Sequence, residues 1–214
     1  AAGATIAVQG ELSGPEMITT TDEGGLELYA ATPWRIGVYT LTRLYVGEGT
    51  TITLVPEVTG VYTDDFGVEL RVTDLIVEQG GTLSADGQGY SRDTGEGTGS
   101  GYSAGAGYGG DGGASWNGAG GESYDELALY HPIKCGSGGR SHANASCDFG
   151  GYGGSGGGSV HLVVTGTTSS AFVLNGRFSA NGEDGILKAL TGGGGSGGSI
   201  WLEAAAFSGT GVIQ

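Results

Sequence analysis

Residues 75–87 read Leu-Ile-Val-Glu-Gln-Gly-Gly-Thr-Leu-Ser-Ala-Asp-Gly, and versions of this stretch recur at 6–14, 44–54, 172–182 and 207–214. Each copy is a short alternating apolar run, a bend centred on glycine, a second apolar run and a further glycine. Alternation of apolar and polar residues is the period of a strand with one buried face. The anchors Ile6, Leu44, Leu75, Phe172 and Phe207 are separated by 38, 31, 97 and 35 residues. Three of these intervals fall in the range of a repeat architecture, and the fourth reads as one interval carrying a long insertion. A unit this small cannot close its own core, so its apolar face must be buried against the next copy. The segments preceding three copies also match: Val68–Val72, Ser159–Val164 and Ser199–Glu203. The fold this predicts is all-β, a parallel β-solenoid.

A chain of 214 residues is long enough for one well-buried core, so a single domain over 1–214 is expected. Residues 34–46 alternate as a strand after Pro33, and Thr51–Val55 and Gly60–Tyr62 continue as short strands broken by Pro56 and by Asp64 and Asp65. At about 87–158 the texture changes to a glycine-rich lobe holding about half of the 49 glycines. A Gly/Ser linker would be flexible, but large aromatic residues such as Tyr90, Tyr102, Tyr108, Trp116, Tyr124 and Tyr152 are interspersed here. They predict an irregular lobe ordered by packing of rings on glycine backbone. A helical turn fits only at Glu122–Tyr130, with Ser123 as N-cap and Glu126 three residues on. Gly192–Gly198 reads as a second, shorter glycine turn.

The formal net charge of −15 argues against nucleic acid, whose phosphates require Lys and Arg. It argues equally against anionic membrane surfaces. No apolar run is long enough to span a bilayer, so membrane insertion is not expected. The N-terminal residues lack the charged and apolar regions of a signal peptide, so a secreted form would already have lost its signal. Low lysine content, two cysteines and the Asn144-Ala145-Ser146 sequon point to an extracellular or cell-surface location.

Cys135 and Cys147 are the only cysteines. They would close a loop of about a dozen residues as a disulfide, which the chain-entropy argument values at about 3 kcal/mol. With His131 and His142 the same cysteines spell His-x3-Cys-x6-His-x4-Cys, a zinc alternative that lacks the close ligand pairs of usual zinc modules. Asn144, inside the loop, is the glycosylation candidate. Calcium is the cation that carboxylates at Asp86, Asp93, Asp111 and Asp148 would hold, although neither the calcium nonapeptide nor an EF-hand loop is present. Matches to Gly-x-Gly-x-x-Gly around Gly151–Gly156 are chance products of glycine content, since no strand-loop-helix unit surrounds them. The adjacent pairs Asp22–Glu23 and Asp64–Asp65 would point to opposite faces of a strand and read as turn residues. No carboxylate pair, triad order or basic pocket supports catalysis, so no enzyme is expected. Thr19–Thr21, Thr50–Thr51 and Thr167–Thr168 do not recur in the register an ice-binding face would need.

The repeats Leu83-Ser84-Ala85-Asp86-Gly87 and Phe178-Ser179-Ala180-Asn181-Gly182, with Gly194–Leu202, resemble large glycine-rich secreted or cell-surface proteins with β-helical repeats. The likeness covers roughly 66–214 and implies an extracellular structural or adhesive role; it transfers no catalytic residue. The expectation is a non-enzymatic module of a fibre, matrix or adhesin. The chain begins and ends within a rung, so self-assembly end to end, as a homo-oligomer or filament, is the expected partner interaction. The alternative is a carbohydrate-binding or polysaccharide-processing solenoid, with Tyr102, Tyr108 and Trp116 as exposed stacking platforms for glycans.

Overall fold

The computed structural model describes residues 5–9, 12–13, 17–20, 25–29, 37–59, 67–125, 130–142, 150–168, 171–187 and 190–214. Among them the chain is all-β, with no helix. In chain order the strands are β1 (Thr5–Gln9), β2 (Leu12–Ser13), β3 (Met17–Thr20), β4 (Gly25–Tyr29), β5 (Gly37–Val46), β6 (Thr51–Val55) and β7 (Val68–Val77). They continue as β8 (Thr82–Ser84), β9 (Ser159–Val164), β10 (Phe172–Leu174), β11 (Arg177–Ser179), β12 (Ser199–Ala204) and β13 (Val212–Ile213).

The strands form two sheets. The first runs β1-β4-β6-β8-β11-β13, and the second runs β12-β9-β7-β5-β2, with β3 also on β5 and β10 also on β7. Every pairing between these strands is parallel. Parallel neighbours need a crossover connection, and here the chain supplies it by passing through the other sheet before returning.

Register explains why the apolar repeats lie where they do. Leu44 stands opposite Leu75, which stands opposite Phe172. Tyr39, Leu70, Leu162 and Leu202 form a second row, and Ile52, Leu83 and Phe178 a third in the first sheet. All of these except Leu202 are fully buried and belong to one apolar core contributed by both sheets. Ile200 and Leu202, on the outermost strand of the second sheet, are only partly buried.

The expected equivalence of Ile6 with Leu44 is corrected. Ile6 pairs with Leu26, and Leu26 with Ile52, so Ile6 belongs to the first sheet. The residue opposite Leu44 is Ile18 of β3. A period of two marks a strand but not the sheet it joins, and the two sheets have the same alternation. The corners do need glycine. Gly49 and Gly80 have φ of 72° and 81°, a left-handed conformation costly for residues with a Cβ. Their turns stack, with the Gly49 N–H donating to the Gly80 carbonyl at 3.3 Å.

Between 87 and 158 the described residues contain no strand before β9, only an isolated bridge between Ser115 and Gly118. Order here comes largely from backbone hydrogen bonds, which in several segments join a given neighbour at every third residue. Gly136, Gly139 and His142 donate to the carbonyls of Gly157, Gly154 and Gly151. Gly154 and Gly157 donate onward to Gly193 and Ser196, while Gly192, Gly195 and Gly198 donate to Ile186, Glu183 and Ala180. Three residues is the repeat of a polyproline-II-type helix, which makes no internal hydrogen bonds and turns its donors toward neighbours. Such neighbours approach only where no Cβ intervenes: a Cβ on Gly193 would lie 1.9 Å from the Ala104 carbonyl oxygen.

Two expectations change in consequence. Gly192–Gly198 is an extended segment in this network, not a turn. Aromatic rings are part of the same packing: Tyr90 is buried and its backbone bonds to Gly136 and Gly156, and Arg92 lies over Tyr152 at 4.3 Å. Glu122–Asp125 has no helical turn, and the Ser123 N–H is accepted by Asp111 at 2.8 Å. Residues 126–129 of that expected turn, like the expected strand at 60–62, lie outside the described residues.

Candidate functional site

Where the glycine lobe meets the start of β12, a cleft of about 890 Å³ opens to solvent. Its walls include Tyr108, Tyr124, Asp111, Asp125, Pro132 and Ile200, together with residues 196–199. The Tyr108 hydroxyl donates to Asp125 Oδ2 at 3.0 Å, and the two tyrosine rings pack at 5.0 Å between centroids. Tyr124 donates to the Cys135 carbonyl at 2.5 Å and accepts from Ser137 at 3.0 Å. Burial, with a smaller contribution from Asp125, pushes both phenols above their ordinary value, so both stay neutral O–H groups. Asp125 has φ of 67°, left-handed geometry that Asp tolerates better than most residues. Hydrogen bonds from Ser123 hold the Asp111 carboxyl below its ordinary value. Among the described residues the lining carries two carboxylates and no Lys, Arg or His.

A second group lies across β7, β9 and β12. Glu69 pairs in register with His161, and His161 with Trp201. His161 Nδ1 is 3.3 Å from Glu69 Oε2 and its Nε2 is 2.8 Å from Glu203 Oε1. Trp201 stacks on His161 while His131 meets Trp201 edge-on at 4.6 Å. Arg71 forms an ion pair with Glu69, which is 7% exposed. Opposite charges and aromatic faces on neighbouring strands stabilise a sheet, so this array ties three strands together. Sequence reasoning did not single it out. The signal was available: aligning Val68–Val72, Ser159–Val164 and Ser199–Glu203 places Glu69, His161 and Trp201 in one column.

Three of the four expected calcium ligands accept hydrogen bonds from protein donors. Asp86 accepts from Arg177 at 2.6 Å, Ser179 at 2.9 Å and the Asn181 N–H at 2.6 Å. Asp93 accepts from the N–H and hydroxyl of Ser141 at 2.7 and 2.5 Å. Asp111 accepts from Ser123, and Asp148 lies outside the described residues. Among the described residues, no three His, Cys, Asp or Glu side chains converge to hold a metal ion. Cys135 is fully buried; Cys147 and Asn144 lie outside the described residues. His131 and His142 both face aromatic rings, His142 at 5.9 Å from Tyr102.

Of the expected platforms, Trp116 is 80% and Tyr102 40% exposed, but Tyr108 is buried at 7%. The correction has a physical cause: the Tyr108 phenol has a partner in Asp125 and its ring packs on Tyr124, so it forms cleft wall rather than open surface. No described helix is long and apolar enough to cross a membrane. No family model, curated protein or solved structure matches the chain.

Proposed function

We propose that this chain is a non-enzymatic β-solenoid module of an extracellular or cell-surface assembly, built by stacking rung on rung. Alternation of the chain between two parallel sheets, with like residues in register, supports reading each circuit as one coil. The observation that carries the assembly is the outer edge formed by β12 and β13. Neither strand has a further neighbour among the described residues, and Phe207, Val212 and Ile213 beside that edge are 63, 53 and 42% exposed. Unpaired parallel edges with apolar side chains are templates for another strand, and a following rung of a second copy has the matching pattern. Repulsion from the charge of −15 would favour assembly at high ionic strength or with calcium.

Electron microscopy, beside light scattering after size exclusion with and without calcium, tests the reading. Filaments with a constant axial repeat, lost in Ile213→Lys, are expected. A monomer at every concentration and calcium level would remove the self-assembly. The extracellular placement carries its own check: peptide mapping without reductant should recover Cys135 and Cys147 in one linked species.

A further inference from the structure

Glycine in this lobe usually has a steric cause. A Cβ on Gly107, Gly120 or Gly121 would strike a neighbouring backbone oxygen at 2.5, 1.9 or 1.6 Å. Gly109 and Gly110 are different. No atom of the described residues lies within 4 Å of a Cβ built on either, neither has left-handed φ, and both line the cleft. Gly197, which lines it from another segment, would meet only the Ala180 carbonyl oxygen at 3.8 Å, an ordinary contact. Gly113 and Gly194 share this freedom away from the cleft. Neither packing nor backbone conformation demands glycine at 109, 110 and 197. What glycine does there is leave the cleft unfilled and parts of its wall flat.

The groups around those flat surfaces limit what can enter. Asp111 and Asp125 carry the charge, and each already accepts a hydrogen bond while retaining acceptor capacity. Among the described lining residues the only charged groups are carboxylates, and Lys134 near the Tyr124 ring is already paired with Glu96, so an anionic ligand is disfavoured. Carboxylates accept from hydroxyl groups, and Pro132 and Ile200 offer apolar surface beside them. A volume of about 890 Å³ open to solvent accommodates an extended ligand better than an enclosed compact one. We propose that this cleft binds an uncharged oligosaccharide, whose hydroxyls donate to Asp111 and Asp125 and whose ring faces lie along Gly109, Gly110 and Gly197. The site does not depend on the chain stacking into an assembly.

Isothermal titration of the full chain with cellohexaose, maltohexaose, xylohexaose, mannohexaose and chitohexaose, beside hexagalacturonate and all in EDTA, is the test. Saturable binding of at least one neutral hexamer and none of hexagalacturonate is expected. Gly110→Leu and Gly197→Leu fill the cleft, and each should weaken that binding by about tenfold or more with Tm unchanged. Tyr108→Phe, which removes a phenol from the wall, should weaken it without abolishing it. The proposal fails if no neutral hexamer saturates, if hexagalacturonate binds tightest, or if binding survives both leucine substitutions in folded protein.

Discussion

Trp201 lies flat on the imidazole of His161, with ring centroids 4.0 Å apart and planes 13° from parallel. The same imidazole reaches Glu69 on one side and Glu203 on the other, so one side chain joins β7, β9 and β12. Strand β12 has β9 as its only strand neighbour among the described residues. Side chains across this face therefore add to what the ladder alone can hold.

Removing the indole should loosen β12 first. Trp201→Ala loses the stack and part of its apolar burial, about 2 kcal/mol together. For a chain of this size that is a fall in Tm of roughly 4–8 °C by calorimetry. His161→Gln, which keeps a polar group between the carboxylates, should cost less. An unchanged Tm in Trp201→Ala would mean the stack does not hold the strand.

Two glycines twelve positions apart should respond in opposite senses to alanine. In Gly121→Ala the new methyl meets the Gly97 carbonyl oxygen at 1.6 Å, so backbone must move and the variant should lose about 3 kcal/mol. In Gly109→Ala the methyl enters open space, and reduced freedom of the unfolded chain should leave stability equal or higher by about 0.5 kcal/mol. Urea titration of both variants measures the difference.

Leu75 is fully buried between its register partners Leu44 and Phe172. Leu75→Ala opens a cavity that the flanking rows cannot collapse into, with an expected loss of about 3 kcal/mol in urea titration. Leu75→Met, which keeps volume, should lose less than about 1.5 kcal/mol.

Asp86 should confer an acid-side dependence. Burial works to raise its carboxyl, but the Asn181 N–H, the Ser179 hydroxyl and the Arg177 guanidinium outweigh burial and hold it below its ordinary value of 3.8. A carboxyl lowered in the folded state binds its proton more readily when unfolded, so its contribution is complete above the unfolded value. The contribution is lost as pH falls through the lower folded value. Stability measured between pH 7 and pH 2 should therefore drop less in Asp86→Asn than in the parent chain. Parallel curves would show that Asp86 contributes nothing through its charge.

Much of the strand architecture is legible in sequence because burial of one sheet face imposes alternation. The spacing of Leu44, Leu75 and Phe172 corresponds to their observed register, and Phe207 packs on Phe172 at 5.9 Å. Ile6 misled because its short run alternates like its counterparts in the other sheet. The glycine network was illegible for a different reason: a three-residue repeat of backbone donors leaves no hydrophobic pattern to read. The cleft followed suit, since the burial of Tyr108 depends on Asp125 and Tyr124, which only folding brings beside it. Asp86 reads as a free ligand in the sequence because its partners Arg177, Ser179 and Asn181 lie about ninety residues away.

The backbone ladder through Gly136–His142, Gly151–Gly157 and Gly192–Gly198 also bears on temperature. Unfolding it exposes peptide groups in large excess over hydrocarbon. Hydrated polar surface lowers the heat capacity of the unfolded chain, whereas hydrated apolar surface raises it. This part of the molecule thus contributes little curvature to the stability profile, and cooling weakens it far less than it weakens the leucine rows beside it.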